Sequence, residues 1–517
     1  MKKRIFLYPI CLAGGVLCAL PAIFGRLFVI AWLAPALMYL ASFRLHETGR
    51  GGRYLPALFF SFGFYGTGYS FVFTLGIADG RISAVLLLTA AWAALSLIQA
   101  ALSGLHLPIS YLMSSGGRNR WVFAVSSASL YALLEILLAE TRYAIPWMNM
   151  ALTQVYSYPM IQVSSLFGSS AVSLLVMLVG CFSSIAFHRS GPAELRQAAG
   201  ALAAVIFSLN VIVGYTLALL SSTGNGESVR VAAVGNGMSM HEKNVATVED
   251  FGEKYASAAA GAVSSSAELL VFPETSIPFN IVGYPKAEQI FSGIAEGGSV
   301  TLIAGAYTQN PSGELCNALV QYSPDGERTG EYVKRHLVPL SEFSDEMLGD
   351  KISALLSPFG LAARRFARGD GGLLVSESAN VGGIICFDSL FGDTVRDDVR
   401  DGAEILAVSA NDAVLGDNFA GRIHLSHTVL RAVESRRYAV RASTGGTSAV
   451  IGPDGRLRAY GGPGDPEYGY ESIAVATVEK SDRIPLFCRI GPYALPGALL
   501  IICGSFAAHG RMRERRR

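Results

Sequence analysis

The sequence is short of charge. Lysine, arginine, aspartate and glutamate make up 16% of its 517 residues, where average soluble proteins use about 25%. The 41 basic and 40 acidic residues leave a net charge of +1, so there is no global basicity of the kind that marks a nucleic-acid binder. Cysteine is also sparse. Cys11, Cys18, Cys181, Cys316, Cys386, Cys488 and Cys503 are the only seven, with no CxxC and no HExxH spacing. A disulfide framework and a structural zinc site are therefore poorly supported. Cys11, Cys18, Cys181 and Cys503 lie in or beside apolar runs, where a cysteine serves as a small apolar filler.

What fills the space is apolar. Hydrophobic residues reach 51% and the mean hydropathy is +0.39. The chain is too long for one ordinary domain, and its apolar residues are unevenly spread. Eight runs approach the roughly 20 residues that a helix needs to cross a bilayer: 5–24, 27–43, 55–77, 84–105, 121–139, near 160–187, about 197–220, and 492–508. Lys2, Lys3 and Arg4 precede the first run, Arg44, Arg50 and Arg53 follow the second, and Arg118 and Arg120 precede the fifth. Arg189 and Arg196 separate the sixth and seventh, and five arginines follow the eighth. If every run crosses, all of these lie on one side, which the positive-inside rule makes cytoplasmic. The block between the seventh and eighth runs then faces outward, into the periplasm of a Gram-negative cell. The expected organisation is a transmembrane domain at 1–220 with seven spans, an extracytoplasmic catalytic domain at 221–486, and an eighth span with a basic tail at 487–517. "MKKR" before an apolar run resembles a signal peptide, but the charge pattern needs that first span, so it is read as retained. Glu135 lies inside the fifth run, where an acid is either a functional group or a structural partner within the bundle.

The block from about 227 to 486 reads as α/β. Strand-like runs include "SVRVAAVG" (228–235), "AELLVFPE" (267–274), "SVTLIAGAY" (299–307), "NALVQYS" (317–323), "EYVKRHL" (331–337), "AEILAVSAND" (403–412), "YAVRAS" (438–443), "TSAVIG" (447–452) and "ESIAVATVE" (471–479). "SPDG" at 323–326 and "GPDG" at 452–455 are hairpin turns, with proline presetting φ and glycine taking the left-handed position. Helical patterns cover 241–263 and 421–437. Strands alternating with helices, together with hairpins, predict a mixed sheet covered by helices, a layered α/β sandwich.

"GGIICFDSLFGD" (382–393) places Cys386 after an apolar run. Such a cysteine is either a buried thiol or a nucleophile at a strand end. A nucleophilic thiol needs a base within hydrogen-bond reach and a cation or donor where oxyanion charge develops. The histidines His336, His424 and His427 fall in no known cysteine-protease signature. Two other charges stand out: Glu274, ending the run in "VFPETSIP", and Lys334, in "EYVKRHLVPLSEF". Charges at the ends of buried strands are costly unless paired. In one site, Glu274 would accept the thiol proton and Lys334 would stabilise the oxyanion. Taken singly, a strand-end Glu or Lys is usually a surface or structural residue, and a lone Cys after an apolar strand is usually core.

"PETSIP", "YVKRHLVPLSE", "IICFD" and "SANDAVLGD" resemble, in order and spacing, the motifs of the nitrilase superfamily. With the surrounding apolar runs, and with "IPWMNMALTQ" (145–154) between the fifth and sixth, nearly the whole chain resembles the apolipoprotein N-acyltransferase family. That resemblance implies an eight-helix transmembrane bundle carrying a nitrilase-like α-β-β-α sandwich. It implies Glu274 as general base, Lys334 as oxyanion stabiliser and Cys386 as nucleophile. It also implies a supporting or substrate-contacting set of Glu342, Phe387, Asp388 and Asn411, with a backbone N–H after Cys386 completing the oxyanion hole. The sequence departs from the family where Phe387-Asp388 replaces Tyr-Glu, where Ala413-Val414-Leu415 replaces an aromatic pair, and where "STGGTS" (443–448) replaces an asparagine-rich turn.

The implied reaction is ping-pong acyl transfer at a bacterial inner membrane. Outside the cell neither ATP nor coenzyme A is at hand, so the donor is a phospholipid ester. The acceptor is the N-terminal amine of a diacylated lipoprotein, and no cofactor, metal or nucleic acid is called for. Spans beyond a simple anchor would give acyl chains lateral access. An amidase using water in place of the amine has the same triad, and a transporter or a dead scaffold are more distant readings. The i, i+3 pair His424 and His427 reads as helix packing, since a metal would need a third ligand.

Overall fold

The computed structural model describes residues 6–47, 52–74, 82–141, 143–222, 226–235, 238, 240–339, 341–343, 365–416, 418–462 and 473–515. They form two compact units. One comprises Met1–Ala218 with Ile490–Arg517, and the other Leu219–Arg489.

In the first unit the apolar runs are helical. Among the described residues, six helices are long and apolar enough to cross a membrane: Leu7–Phe24, Phe28–Glu47, Val85–Met113, Arg120–Ala139, Ser169–Phe187 and Ala193–Leu219. The run expected at 55–77 gives a shorter helix, Leu55–Gly68, followed by a 3-10 turn at Ser70–Thr74. The last run carries Ala494–Arg515, of which Ala494–Ala508 is apolar. The sixth run begins its long helix later than the expected 160, because Gly168 at φ 80 breaks the chain away from the short turns before it. Segment 145–154, expected as a loop, is partly a 3-10 helix, Met150–Gln154, with every residue buried inside this unit. Its polar ends are satisfied from within. Glu135 Oε1 accepts from Met150 N at 3.0 Å, Asn149 Oδ1 accepts from Leu152 N at 3.2 Å, and Trp32 Nε1 donates to Gln154 Oε1 at 2.7 Å.

In the second unit, two sheets are stacked. One contains β1 (Ser228–Val234), β2 (Leu269–Val271), β3 (Ile277–Asn280), β4 (Thr301–Gln309), β5 (Leu315–Tyr322), β6 (Arg328–Val333) and a late strand, Ile473–Glu479, which pairs with β1 at one edge. The other contains β7 (Leu373–Val375), β8 (Asn380–Ile385), β9 (Ile405–Asn411), β10 (Ala439–Thr444), β11 (Ser448–Ile451) and β12 (Leu457–Gly461), in the reverse of sequence order. Side chains alternate across a strand, and the two cores follow that period. Val229, Val231 and Ala233 of β1 meet Val381, Ile405, Val440 and Val450 between the sheets. Ala232 and Val234 face the helical layer with Phe251, Tyr255 and Phe291. That layer is α2 (Val248–Ser264) and α3 (Pro285–Gly298), preceded by the short α1 (Met240–Val245). The second sheet carries α4 (Gly392–Arg400) and α5 (Ala420–Ser435). The order is α-β-β-α, and both marked turns join antiparallel partners, β5 to β6 and β11 to β12.

The helix expected over 241–263 is two helices. Thr247 breaks it by starting α2 as N-cap: its Oγ1 accepts from Asp250 N at 3.2 Å while Asp250 Oδ2 accepts from Thr247 N at 2.8 Å. A reciprocal pair of this kind satisfies two otherwise orphaned donors.

Candidate active site

Strand direction brings the two charges and the thiol to one end of the sandwich. β2 is parallel to β4, and two antiparallel pairings (β4 with β5, β5 with β6) restore that direction in β6. Glu274 and Lys334 therefore both emerge at carboxyl ends of strands of the same sheet. Pairing with β4 continues past β2: Phe272 N donates to Ile303 O and Ser276 N to Gly305 O, each at 2.8 Å. Between those bonds the chain bends sharply, with Thr275 at φ 45. A Cβ on Gly305 would lie 2.3 Å from Pro273 O and 2.7 Å from the Glu274 Cα, so the close approach that seats Glu274 requires glycine there. Cys386 follows β8 in the facing sheet at φ 48 and opens a 3-10 helix, Cys386–Leu390. A left-handed cysteine is strained, and such strain collects at functional sites. The two strand ends meet where Ser409 Oγ of β9 donates to Phe272 O at 2.6 Å.

Lys334 Nζ lies 3.0 Å from Glu274 Oε1 and 2.9 Å from Glu342 Oε1. Asn317 Nδ2 bridges the same two carboxylates, at 2.8 and 3.2 Å. Glu342 Oε2 accepts from Val338 N at 2.8 Å. The Cys386 thiol lies within electrostatic reach of Glu274, Lys334 and Asp412. Cys386 is half-buried, whereas Glu274 and Lys334 are buried.

The electrostatics separate the roles. Burial alone would push the Glu274 carboxyl up, but the Lys334 ammonium outweighs it, aided by the Asn317 amide, and holds Glu274 below the usual carboxylate range. Burial and the neighbouring Glu274 push Glu342 up despite Lys334. Two carboxylates sharing one ammonium titrate as a linked pair. Burial lowers Lys334, yet Glu274 and Glu342 more than offset it, so the ammonium stays charged well above its ordinary range. Burial and then Glu274 raise the Cys386 thiol against Lys334. At rest the proton sits on sulfur and the charge on Glu274, an arrangement suited to proton transfer during attack rather than to a standing thiolate.

The other expected residues have defined places. Asp388 is fully buried and ties the turn together: Oδ1 accepts from His336 N at 2.7 Å, and Oδ2 accepts from Tyr332 OH at 3.0 Å and from Ile385 N at 3.1 Å. Phe387 is buried edge-on against Phe391, and Phe391 stacks on His336. Asn411 ends β9.

Sequence reasoning passed over three elements. Asn317 lies within an alternating strand, and its only signal was an amide at a position whose side chain turns out to be buried. Lys243 of α1 is buried, with Nζ donating to Glu274 O at 3.1 Å and to Thr275 Oγ1 at 2.9 Å. Burial lowers it to about 8, against the opposing pull of Glu274 and Cys386. No local pattern marked it. Third, Asp412, His424 and Arg441 form one buried chain of hydrogen bonds ending at the Cys386 carbonyl. Among the described residues, no group of three or more His, Cys, Asp or Glu is arranged to hold a metal.

Comparison with known proteins agrees with this architecture. Residues 230–483 match the carbon-nitrogen hydrolase family model. Residues 14–182 match the model of the apolipoprotein N-acyltransferase N-terminal domain. An apolipoprotein N-acyltransferase of Geobacter metallireducens is 28% identical over 368 residues, 68% of each chain. One from Gloeobacter violaceus is 28% identical over 441 residues, 83% of this chain and 79% of the relative. One from Shewanella oneidensis is 24% identical over 511 residues, 93% of this chain and 91% of the relative. With a family-specific helical region and a hydrolase-type sandwich matched in that order on one polypeptide, this chain belongs to the apolipoprotein N-acyltransferase family of the nitrilase superfamily.

Proposed function

We propose that this protein transfers an acyl chain from a membrane phospholipid to the N-terminal amine of a diacylglyceryl-cysteine lipoprotein, with Cys386 carrying the chain as a thioester. The observation that carries the reading is the convergence of a carboxylate, an ammonium and a half-buried thiol on one end of the sandwich. The relatives' names supply the substrate class.

In the first half-reaction Glu274 takes the Cys386 proton as sulfur attacks the ester carbonyl. The carbon–sulfur bond forms, and charge develops on the carbonyl oxygen, where Lys334 and the Phe387 N–H are the stabilisers. Collapse breaks the ester carbon–oxygen bond, and the proton on Glu274 goes to the departing lysophospholipid oxygen. In the second half the acceptor amine attacks the thioester. Glu274 receives the amine proton, the carbon–sulfur bond breaks, and the proton returns to the thiolate. Glu342 keeps Lys334 aligned, and Asn317 does the same for Glu274.

Six long apolar helices make this a membrane protein. We infer from the arginine and lysine distribution that it sits in the bacterial inner membrane with residues 221–486 on the periplasmic side. The test uses labelled phospholipid and a diacylated lipopeptide with the purified full chain. Label should appear on Cys386 and then on the peptide amine, and Cys386→Ala should lose both. Label on another residue, or release of free fatty acid in preference to the amide, would overturn the assignment, the second in favour of water as acceptor.

A further inference from the structure

The turn after β2 holds Glu274 in a conformation that its neighbour resists. Thr275 has φ 45, and left-handed backbone is a genuine outlier for a β-branched residue. Strain of this kind persists only where the surroundings over-determine it. The bonds to β4 stop at Phe272 and resume at Ser276. Ser276 Oγ also reaches back to donate to Pro273 O at 2.6 Å. Glu274 and Thr275 form the bend between these anchors.

Lys243 grips that bend. It comes from α1, 31 positions earlier in the chain, and its Nζ donates to Glu274 O at 3.1 Å and to Thr275 Oγ1 at 2.9 Å. The first oxygen belongs to the Glu274–Thr275 peptide and the second to the Thr275 side chain. Holding both restrains rotation about the Thr275 N–Cα bond, which is φ itself. A carbonyl oxygen only accepts, so Nζ is the donor there in either protonation state. Two bonds need two hydrogens, and a lysine amine keeps two when neutral. Lys243 is 6% exposed, so little solvent competes for them. It also lies within electrostatic reach of both Glu274 and Cys386.

Glu274 is thus fixed at both ends. Lys334 Nζ at 3.0 Å and Asn317 Nδ2 at 2.8 Å hold its Oε1, and Lys243 holds its main chain. With the second anchor gone, relaxation of Thr275 toward negative φ would carry the Glu274 main chain with it. A misplacement of about 1 Å at a reacting group costs about 10²-fold in rate.

We propose that Lys243 is a positioning residue for the base: by holding the Glu274 carbonyl and the Thr275 hydroxyl, it keeps the strained turn closed and the Glu274 carboxylate placed for proton transfer with Cys386. This rests on the acyl-transfer reading of the site, in which Glu274 is the base. Lys243 then acts through Glu274 and not on the binding of lipid.

A double-mutant cycle separates this role from general support of the fold. The full chain in lipid nanodiscs carries Lys243→Met, Glu274→Gln or both. Alone, Lys243→Met should slow thioester formation from phospholipid by about tenfold to a hundredfold, with KM for phospholipid within about twofold. Added to Glu274→Gln, it should change the residual rate by less than about twofold, because the carboxylate that it places is gone. An equal fall in both backgrounds would mean that Lys243 supports the site by another route. An unchanged rate in the first would mean that it places nothing. Either outcome overturns the proposal.

Thr275→Val gives the same test without removing a buried amine, and it decides the matter if Lys243→Met does not fold. It keeps the β-branched shape and removes the hydroxyl that Lys243 holds. The rate should fall about threefold to tenfold, the weight of one hydrogen bond, and only where Glu274 is present; a fall of the same size beside Glu274→Gln overturns the proposal. Alkylation of Cys386 by iodoacetamide, which takes the proton off sulfur but needs no lipid, is followed in the same proteins. It should show the same loss with Lys243→Met and the same dependence on Glu274. If the wild type is alkylated in this way but forms no acyl adduct on Cys386, the acyl-transfer reading fails while the role of Lys243 stands.

Discussion

Lys334 and Glu274, sixty positions apart in the chain, meet with Nζ 3.0 Å from Oε1. The same ammonium also serves Glu342 at 2.9 Å, and it is only 1% exposed. Lys334→Met would leave the buried Glu274 and the part-buried Glu342 carboxylates without the ammonium they share. Breaking a buried pair in this way costs about 3–5 kcal/mol, and the expected loss is of that order, read as unfolding of the full chain in detergent. Adding Glu342→Gln should recover part of the stability but none of the acyl transfer. A Lys334→Met protein as stable as wild type would mean that the ammonium does not bear on the pair.

Acyl transfer should persist to unusually low pH. As the proposed base, Glu274 would act only when ionised, and its folded pKa is depressed. The stabilisation it contributes is present above the unfolded value of about 4.3 and is lost as pH falls through the depressed folded value. The acid limb of thioester formation should therefore lie below the ordinary carboxylate range, reported as a property of the linked Glu274–Glu342 pair. Glu274→Gln should lower the rate by about 10²–10⁴-fold. An acid limb above the ordinary range in the pH–rate profile would show that another group is the base.

Lys243 predicts a stability change on the alkaline side. Its folded pKa, lowered chiefly by burial to about 8, is below its unfolded value of about 10.4. Between those values the unfolded chain binds more protons, so stability rises with pH, by up to about 1.4 kcal/mol per pH unit. Lys243→Met should abolish this rise, which is measured as the pH dependence of the difference in unfolding free energy between the two proteins. Parallel curves through that window would contradict the burial of a titrating ammonium.

Glu135 supports the buried 3-10 helix Met150–Gln154 through the 3.0 Å bond from Met150 N. Glu135→Gln keeps an oxygen that can accept it and should be mild. Glu135→Leu leaves a buried N–H unpaired, at a cost of about 1–3 kcal/mol. Thermal unfolding in detergent distinguishes them. Equal stability of the two variants would show that the contact carries little weight.

How much was legible in the sequence follows from how local each signal is. The apolar runs, the strand periodicity and the "SPDG" and "GPDG" turns depend on near neighbours, and their positions survive folding almost unchanged. Thr247 and Gly168 shifted helix boundaries because a cap or a left-handed glycine overrides periodicity within one turn. Asp388 illustrates a different limit. The resemblance implied a supporting or substrate-contacting role for it, and the fold shows the groups it holds, the backbone N–H groups of Ile385 and His336 and the Tyr332 hydroxyl, which no local pattern named.

By itself the sequence determined the division into an apolar part and an α/β part, and it pointed to Glu274, Lys334 and Cys386 as the candidates on which the proposed chemistry rests. Only the tertiary structure decided which polar groups surround them: Asn317 from β5, Lys243 from α1, and the path from Arg441 through Asp412 and His424 to the Cys386 carbonyl. The physical reason is that periodicity reports which face of an element is buried. The partner of a buried charge is set by how two sheets and their covering helices come together, across separations in the chain that no local pattern encodes.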